Sequence, residues 1–342
     1  MRFKNLMTVL SMLALVCSGA IFFTHTAVAE ETIELTYACM FPPTHIQSIL
    51  PETWCREVEK RTNGRVKITY YPGQTLLKGA KIFGGVEDGI ADIGTSVLGY
   101  SRGVFPAMEA IDLPMGYPNG TVATLVINDF YEQFKPKSFS KVEPMYFHAH
   151  GPGVLHSKKP VHKMEDLRGM KVRSYGFNAA MTKALGGVPV AMTQADVYEA
   201  LQKGVADATF SPSEVLKGWK QAEVIKATTL CTGVGYTAGF FVVMNKEKWD
   251  SLPKDIQEII RDVNKEWVAK YGEAWTKSDE EGLAFSRSLG NEIIELSPEE
   301  NARWAIAVQP VIDGYVKDKT AKGLPAQEYV DFIRADIKKH SK

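Results

Sequence analysis

Apolar and polar positions alternate with period two in Ile33-Glu-Leu-Thr-Tyr-Ala38 and again in Val66-Lys-Ile-Thr-Tyr70, the mark of extended chain with one face buried. Between them, Ile46 to Arg61 repeats at helical spacing until Asn63-Gly64 ends it. The same rhythm predicts strands at Pro144–His148, Met170–Arg173, Val188–Ala191 and Asp207–Phe210, with helices between. Phe240-Phe-Val-Val-Met244 is a continuous apolar run, suited to a strand buried on both faces. Strands that alternate with helices predict an α/β architecture with largely parallel sheets.

After Pro253 the rhythm changes. Residues 253–289 carry a long helical pattern, read as one helix begun by Ser251 and ended by Gly290-Asn291, or as two joined near Gly272 or Gly282. Ser297-Pro-Glu-Glu300 is a second helix start, with an N-cap serine, a proline at the first helical position and a glutamate at the third. A helix as long as the first lies across two lobes and braces them, or belongs to a terminal bundle; the pattern leaves both open.

Gly89-Ile-Ala-Asp-Ile-Gly-Thr-Ser96 echoes Gly204-Val-Ala-Asp-Ala-Thr-Phe-Ser211. Each follows a helical segment, so each glycine is expected just past a helix end, with a strand beginning at the aspartate. Two similar lobes would then bring strand ends, with Ser96 and Ser211, to face each other across a cleft.

Composition narrows the function. The 342 residues suffice for two domains, and 45% hydrophobic with 23% charged residues is the balance of a globular protein. Lys plus Arg and Asp plus Glu both number 40, so the global charge gives no reason to expect a nucleic-acid partner. Arg2 and Lys4, the apolar run Leu6 to Phe23 and the small-residue site Ala27-Val28-Ala29 read as a signal peptide over 1–29, which implies export. A lipidated Cys17 fits less well, since Val16 stands where a small residue belongs. Cys39, Cys55 and Cys231 remain in the mature chain, an odd number. Proximity leaves a Cys39–Cys55 pair open, and buried free thiols are the expected state.

Catalytic patterns are absent or incomplete. No Gly-x-Ser-x-Gly elbow, phosphate-binding loop or dinucleotide glycine fingerprint occurs, and Ser138-Phe-Ser-Lys141 lacks the partner motifs of acyl-serine enzymes. His148, His150 and His156 have no further ligand at a metal-site spacing. No metal, cofactor or catalytic residue is therefore assigned. Arg173 stands at the end of the short strand Met170–Arg173, where ligands sit in open α/β sheets, although pairing with a surface acid would also explain it.

Four segments in order change that balance: Asp166-Leu-Arg-Gly-Met-Lys-Val-Arg173, Leu185-Gly-Gly-Val-Pro-Val190, Tyr198-Glu-Ala-Leu-Gln-Lys-Gly-Val-Ala-Asp207 and Trp249-Asp-Ser-Leu-Pro253. With them the mature chain resembles the DctP-type solute receptors of TRAP (tripartite ATP-independent periplasmic) transporters. The resemblance implies a two-lobed periplasmic-binding-protein fold with a central ligand cleft and a long bracing helix, and a monomer that hands an organic acid to the permease. It also implies that Arg173 forks the ligand carboxylate, a role suited to a planar guanidinium. The lobes are expected at 30–150 with about 239–278, and at 151–238 with about 279–342, bridged by the 253–289 helix.

The chain departs from the family pattern in two places. His150-Gly-Pro-Gly153 stands where receptors for polyhydroxylated sugar acids carry another arginine, and Asp207-Ala-Thr-Phe-Ser211 stands where Asp-Gly-x-Glu-Asn is common. Phe210 and Ser211 thus replace polar residues, which points to one carboxylate on a less polar body. Phe41, Tyr100, Tyr175 and Tyr236 join them as candidate ligand contacts, and Glu214 either meets an ammonium group or caps the next helix. An aromatic or hydrophobic monocarboxylate is the expected ligand. A receptor for a membrane sensor and a secreted hydrolase or lyase on a similar frame are the competing readings.

Overall fold

A computed structural model of the chain describes residues 32–101 and 103–342; the expected signal peptide lies outside the described residues. Two sheets organise the molecule. The first joins β1 (Ile33–Cys39), β2 (Val66–Tyr71), β3 (Ile93–Val97), β4 (Val142–Ala149) and β10 (Gly239–Asn245) in the order β2-β1-β3-β10-β4. The second joins β5 (Val154–Ser157), β6 (Lys171–Ser174), β7 (Val188–Ala191), β8 (Ala208–Ser211), β9 (Ala227–Leu230) and β11 (Glu292–Glu295) in the order β11-β9-β5-β8-β6-β7. The helices are α1 (Ile46–Arg61), α2 (Ile82–Glu87), α3 (Gly120–Phe134), α4 (Gly176–Ala184), α5 (Val197–Gln202), α6 (Val215–Gly218), α7 (Lys246–Ser251), α8 (Lys254–Ser288), α9 (Pro298–Ala321) and α10 (Ala326–His340).

The sheets are largely parallel, as the alternation of strands and helices predicts, with one reversed strand in each. β10 runs against β3 and β4, and β5 runs against β8 and β9. The reason is connectivity. The chain leaves the first sheet after β4 and enters the second as β5, then leaves the second after β9 and returns as β10. Each reversed strand is the first one reached after a crossing. β10 is also the central strand of its sheet by burial, with Phe241, Val242, Val243 and Met244 inaccessible to solvent, as its unbroken apolar run requires.

The two crossing segments hydrogen-bond to one another. The Gly153 N–H donates to the Tyr236 carbonyl at 2.8 Å, and the Thr237 hydroxyl donates to the His150 carbonyl at 2.6 Å. A side chain at Gly153 would run into the Tyr236 ring, its Cβ lying 1.9 Å from a ring carbon.

α8 is a single helix of 35 residues, roughly 50 Å long, which settles the sequence alternatives in favour of one element. Its first half packs Ile256, Ile260, Val263, Trp267 and Tyr271 against Leu35, Trp54 and Val58 of the first lobe. Leu283 and Phe285 near its far end pack with Val197, Leu201 and Leu216 of the second. Gly282 marks a close approach rather than a break, since a Cβ there would sit 2.0 Å from the Ser213 carbonyl oxygen. Ser251 closes α7 instead of opening the long helix, whose N-cap position is Pro253. The second start is as expected: the Ser297 hydroxyl accepts the Glu300 N–H at 3.2 Å.

One part of the expected lobe division differs. The expected division assigns about 279–342 to the second lobe, whereas α10 packs Tyr329 and Phe332 on Phe130 and Phe134 of α3, beside the first sheet. Lys339 adds an ion pair to Asp129 of α3 at 2.8 Å. An apolar face at the chain's end needs a surface to cover, and α3 supplies one.

Candidate ligand-binding site

The repeated Gly-x-Ala-Asp pattern builds two equivalent corners. Gly89 (φ 72°) and Gly204 (φ 73°) both take the left-handed conformation just past α2 and α5. The aspartate that follows fastens the neighbouring strand: Asp92 accepts from the Thr36 N–H at 2.7 Å, and Asp207 from the Lys171 N–H at 2.9 Å. β3 and β8 then deliver their carboxyl ends to a cavity between the sheets.

Arg173, on β6 between Val190 of β7 and Thr209 of β8, reaches into this cavity and is only 2% exposed. Its Nε–H donates to the Met192 carbonyl at 3.2 Å, and its guanidinium carbon lies 4.7 Å from the centre of the Tyr175 ring. Nη2 is buried without a hydrogen-bond partner, and no described residue forms an ion pair with the guanidinium. The surface-pair alternative is thereby excluded among the described residues. A buried charge left in this state is costly, and an anion in the cavity is what would relieve it.

Around Arg173 the wall is aromatic. Phe41, just past β1, lies 5.5 Å from Phe240, which stacks on Trp275 of α8 at 5.2 Å. Tyr100 meets Tyr175 edge to face at 5.4 Å and accepts the Gln194 N–H at 2.8 Å, bringing the two lobes together. Tyr236 enters from a crossing segment. Ser211 contributes a hydroxyl 3.0 Å from that of Thr209. Glu214 also lines the cavity; its Oε2 lies 2.8 Å from His45 Nε2, and its N–H donates to Asp279. Of the described lining residues, Arg173 is the one cation with no acid beside it.

Two candidates from the sequence lie elsewhere. Phe210 is wholly buried in the core of the second lobe with Leu155, Val172 and Trp304, because side chains alternate along β8 and Ser211 takes the cavity side. Ser96 is likewise buried, its hydroxyl donating to the Gly79 carbonyl at 2.8 Å, so the echo between the two serines does not extend to the cavity. Sequence reasoning in turn missed Gln194, Trp219, Phe240 and Trp275. Phe240 reads only as strand core and Trp275 only as one apolar position on a long helix, so neither carried a local signal. His150 does carry one, standing where some receptors have an arginine, and it too lines the cavity.

The three histidines have separate surroundings. His148 stacks between Phe240 and Tyr271 and accepts from the Trp275 indole at 3.0 Å. His156 lies between the Thr228 hydroxyl and the Pro212 carbonyl. His150 lines the cavity, and burial, with the Arg173 charge as a smaller contribution, pushes its pKa down to about 4. Cys39, Cys55 and Cys231 are free and buried.

Two lobes closing over an unanswered guanidinium define a solute receptor, and comparison with known proteins agrees. Residues 38–318 match the family model for bacterial extracellular solute-binding proteins, family 7, the DctP type. A TRAP solute-binding protein from Desulfovibrio salexigens, solved in an open form, is 32% identical with a TM-score of 0.80, covering 90% of this chain and 96% of its own. A second, from Rhodoferax ferrireducens in complex with copurified benzoate, is 26% identical with a TM-score of 0.85, covering 91% and 99%. The C4-dicarboxylate-binding periplasmic protein DctP of Rhodobacter capsulatus is 28% identical over 75% of this chain and 78% of that protein. The chain belongs to the DctP-type family of solute-binding receptors of TRAP transporters, and its role is binding rather than catalysis.

Proposed function

We propose that the protein binds an aromatic or hydrophobic monocarboxylate and delivers it to a TRAP permease. The observation that carries the ligand class is the buried Arg173 guanidinium, whose Nη2 lacks a partner inside an aromatic cavity. One carboxylate answers that charge, and the rings of Phe41, Tyr175, Tyr236 and Phe240 cover an apolar body. A dicarboxylate fits less well: its second anion would meet aromatic walls and Glu214, with no second cation among the described lining residues. The copurified benzoate of the Rhodoferax ferrireducens relative supports the same choice.

The proposal includes export to the periplasm through the signal peptide at 1–29 and action as a monomer. Arg173 is the carboxylate anchor, with Tyr100, Ser211 and Glu214 as polar neighbours of the bound acid. Native mass spectrometry of the purified protein, followed by a melting screen of organic acids, tests the reading. An aromatic acid at a hundredfold its Kd is expected to add about 2.7 kcal/mol of stability and to be recovered unchanged. Preferential stabilisation by C4-dicarboxylates would overturn the ligand class.

A further inference from the structure

Among the described residues, none donates a hydrogen bond to the second ring nitrogen of His150, Nε2. His150 is 3% exposed and follows β4 at the start of a crossing segment. Its Nδ1 lies 2.5 Å from the Gly151 carbonyl oxygen. A carbonyl only accepts, so Nδ1 carries the proton. The ring is neutral well above its depressed pKa of about 4, which leaves Nε2 as a bare lone pair. No described side chain donates to it, although the ring lines the cavity that holds Arg173.

The ring is also held in place. Tyr236 meets it edge-on at 5.5 Å, and Phe240 and Trp275 pack around it at 6.4 and 6.1 Å. Its own carbonyl is tied to Thr237. A side chain at Gly151 would run into Asp279, its Cβ 1.9 Å from a carboxylate oxygen, so the segment has little room to shift. A fixed acceptor in a closed cavity discriminates strongly, because a ligand that brings no donor leaves the lone pair both dry and unpaired.

We infer that His150 Nε2 accepts a hydrogen bond from a hydroxyl group on the ligand, so that the receptor selects hydroxylated aromatic monocarboxylates over their unsubstituted parents. This rests on the proposed ligand class and narrows it. Arg173 reads the carboxylate by donating; His150 reads the body of the molecule by accepting. An acid with both groups satisfies both ends of the cavity.

Calorimetry tests this with benzoate, its three hydroxy isomers, phenylacetate, mandelate and the methyl ether of whichever hydroxy acid binds best. At least one hydroxy acid is expected to bind roughly tenfold or more tighter than its parent and its ether, since the ether keeps the oxygen but loses the donor. His150→Phe keeps a ring and removes the acceptor, and should bring the ratio of hydroxy acid to parent affinity to about one. His150→Gln restores an acceptor and should recover part of the ratio, and thermal melting of both variants reports folding. Parents that bind as well as every hydroxy acid would overturn this inference alone, as would a ratio that survives His150→Phe in a folded protein. Failure of every acid to bind would overturn the ligand class and this inference with it.

Discussion

His45 Nε2 lies 2.8 Å from Glu214 Oε2, joining the residue that caps α1 in the first lobe to the residue that precedes α6 in the second. The direction of the bond follows from the other ring nitrogen. His45 Nδ1 accepts the Gln47 N–H at 3.1 Å, so Nε2 carries the proton and donates to the carboxylate. Both side chains are buried, and Phe41 stacks on the imidazole at 4.9 Å, which places this contact against the aromatic wall of the cavity. Together with the Tyr100–Gln194 bond it holds the lobes shut.

His45→Ala is therefore expected to accelerate ligand release. Removing the donor strands a buried carboxylate, and truncating one partner of such a pair costs about 2 to 5 kcal/mol. Stopped-flow dissociation of a bound acid should quicken by about tenfold or more, with a smaller effect for Glu214→Gln, which keeps an acceptor. An unchanged release rate in His45→Ala would mean that the contact does not govern closure.

Asp112 gives the fold a pH dependence of known sign. Its carboxyl is buried and accepts the Gly239 N–H at 3.0 Å, and desolvation raises its pKa to about 7. The folded state therefore keeps a proton between pH 4 and 7 that the unfolded chain loses, so this group's contribution falls as pH rises through that window and levels off above it. Asp112→Asn removes the fall. Chemical denaturation should show the variant gaining on the wild type as pH rises from 4 to 8, by at most about 4 kcal/mol. A difference independent of pH would contradict the raised pKa.

Phe210 is expected to matter for stability and not for selectivity. It fills the second lobe's core with no exposed surface, and truncation of a buried phenylalanine costs about 3 to 5 kcal/mol. Phe210→Ala should lower the melting temperature and weaken aromatic and aliphatic acids to the same degree. A selective loss of aromatic ligands would return Phe210 to the cavity wall.

The cysteines should be silent in the native protein. Burial pushes the thiols of Cys39 and Cys231 up to about 11 and about 12, and that of Cys55 well above its usual value, so none offers an accessible thiolate. A thiol reagent should label Cys39, Cys55 and Cys231 only after denaturation. A single labelled site among the three would reveal a disulfide.

Much of the first lobe is legible in the chain because its strands are long enough to show a period: β1 and β2 alternate over several residues, and β10 is an unbroken apolar run. β5, β9 and β11 were not anticipated. Each has four residues, and β5 and β9 are almost wholly buried, so neither period nor contrast marks them. The site divides in the same way. Arg173, Ser211 and Tyr175 sit at strand ends that local pattern reveals, whereas Phe240 and Trp275 reach the cavity only through tertiary packing. Phe210 and Ser96 were misplaced for a simpler reason: adjacent residues at a strand end point to opposite faces, and sequence locates the end more readily than the face.

The central claim is that Arg173 anchors a carboxylate, and calorimetry with an aromatic acid and its amide tests it most directly. Arg173→Ala should lower the affinity for the acid by roughly thirtyfold to several thousandfold, equivalent to about 2 to 5 kcal/mol. Arg173→Lys should fall between the two, since it keeps the charge without the planar pair of donors. The amide should bind weakly to all three proteins and change little among them, which closes a double-mutant cycle on the charge–charge contact. Undiminished acid affinity in a folded Arg173→Ala protein would contradict the account and place the carboxylate elsewhere.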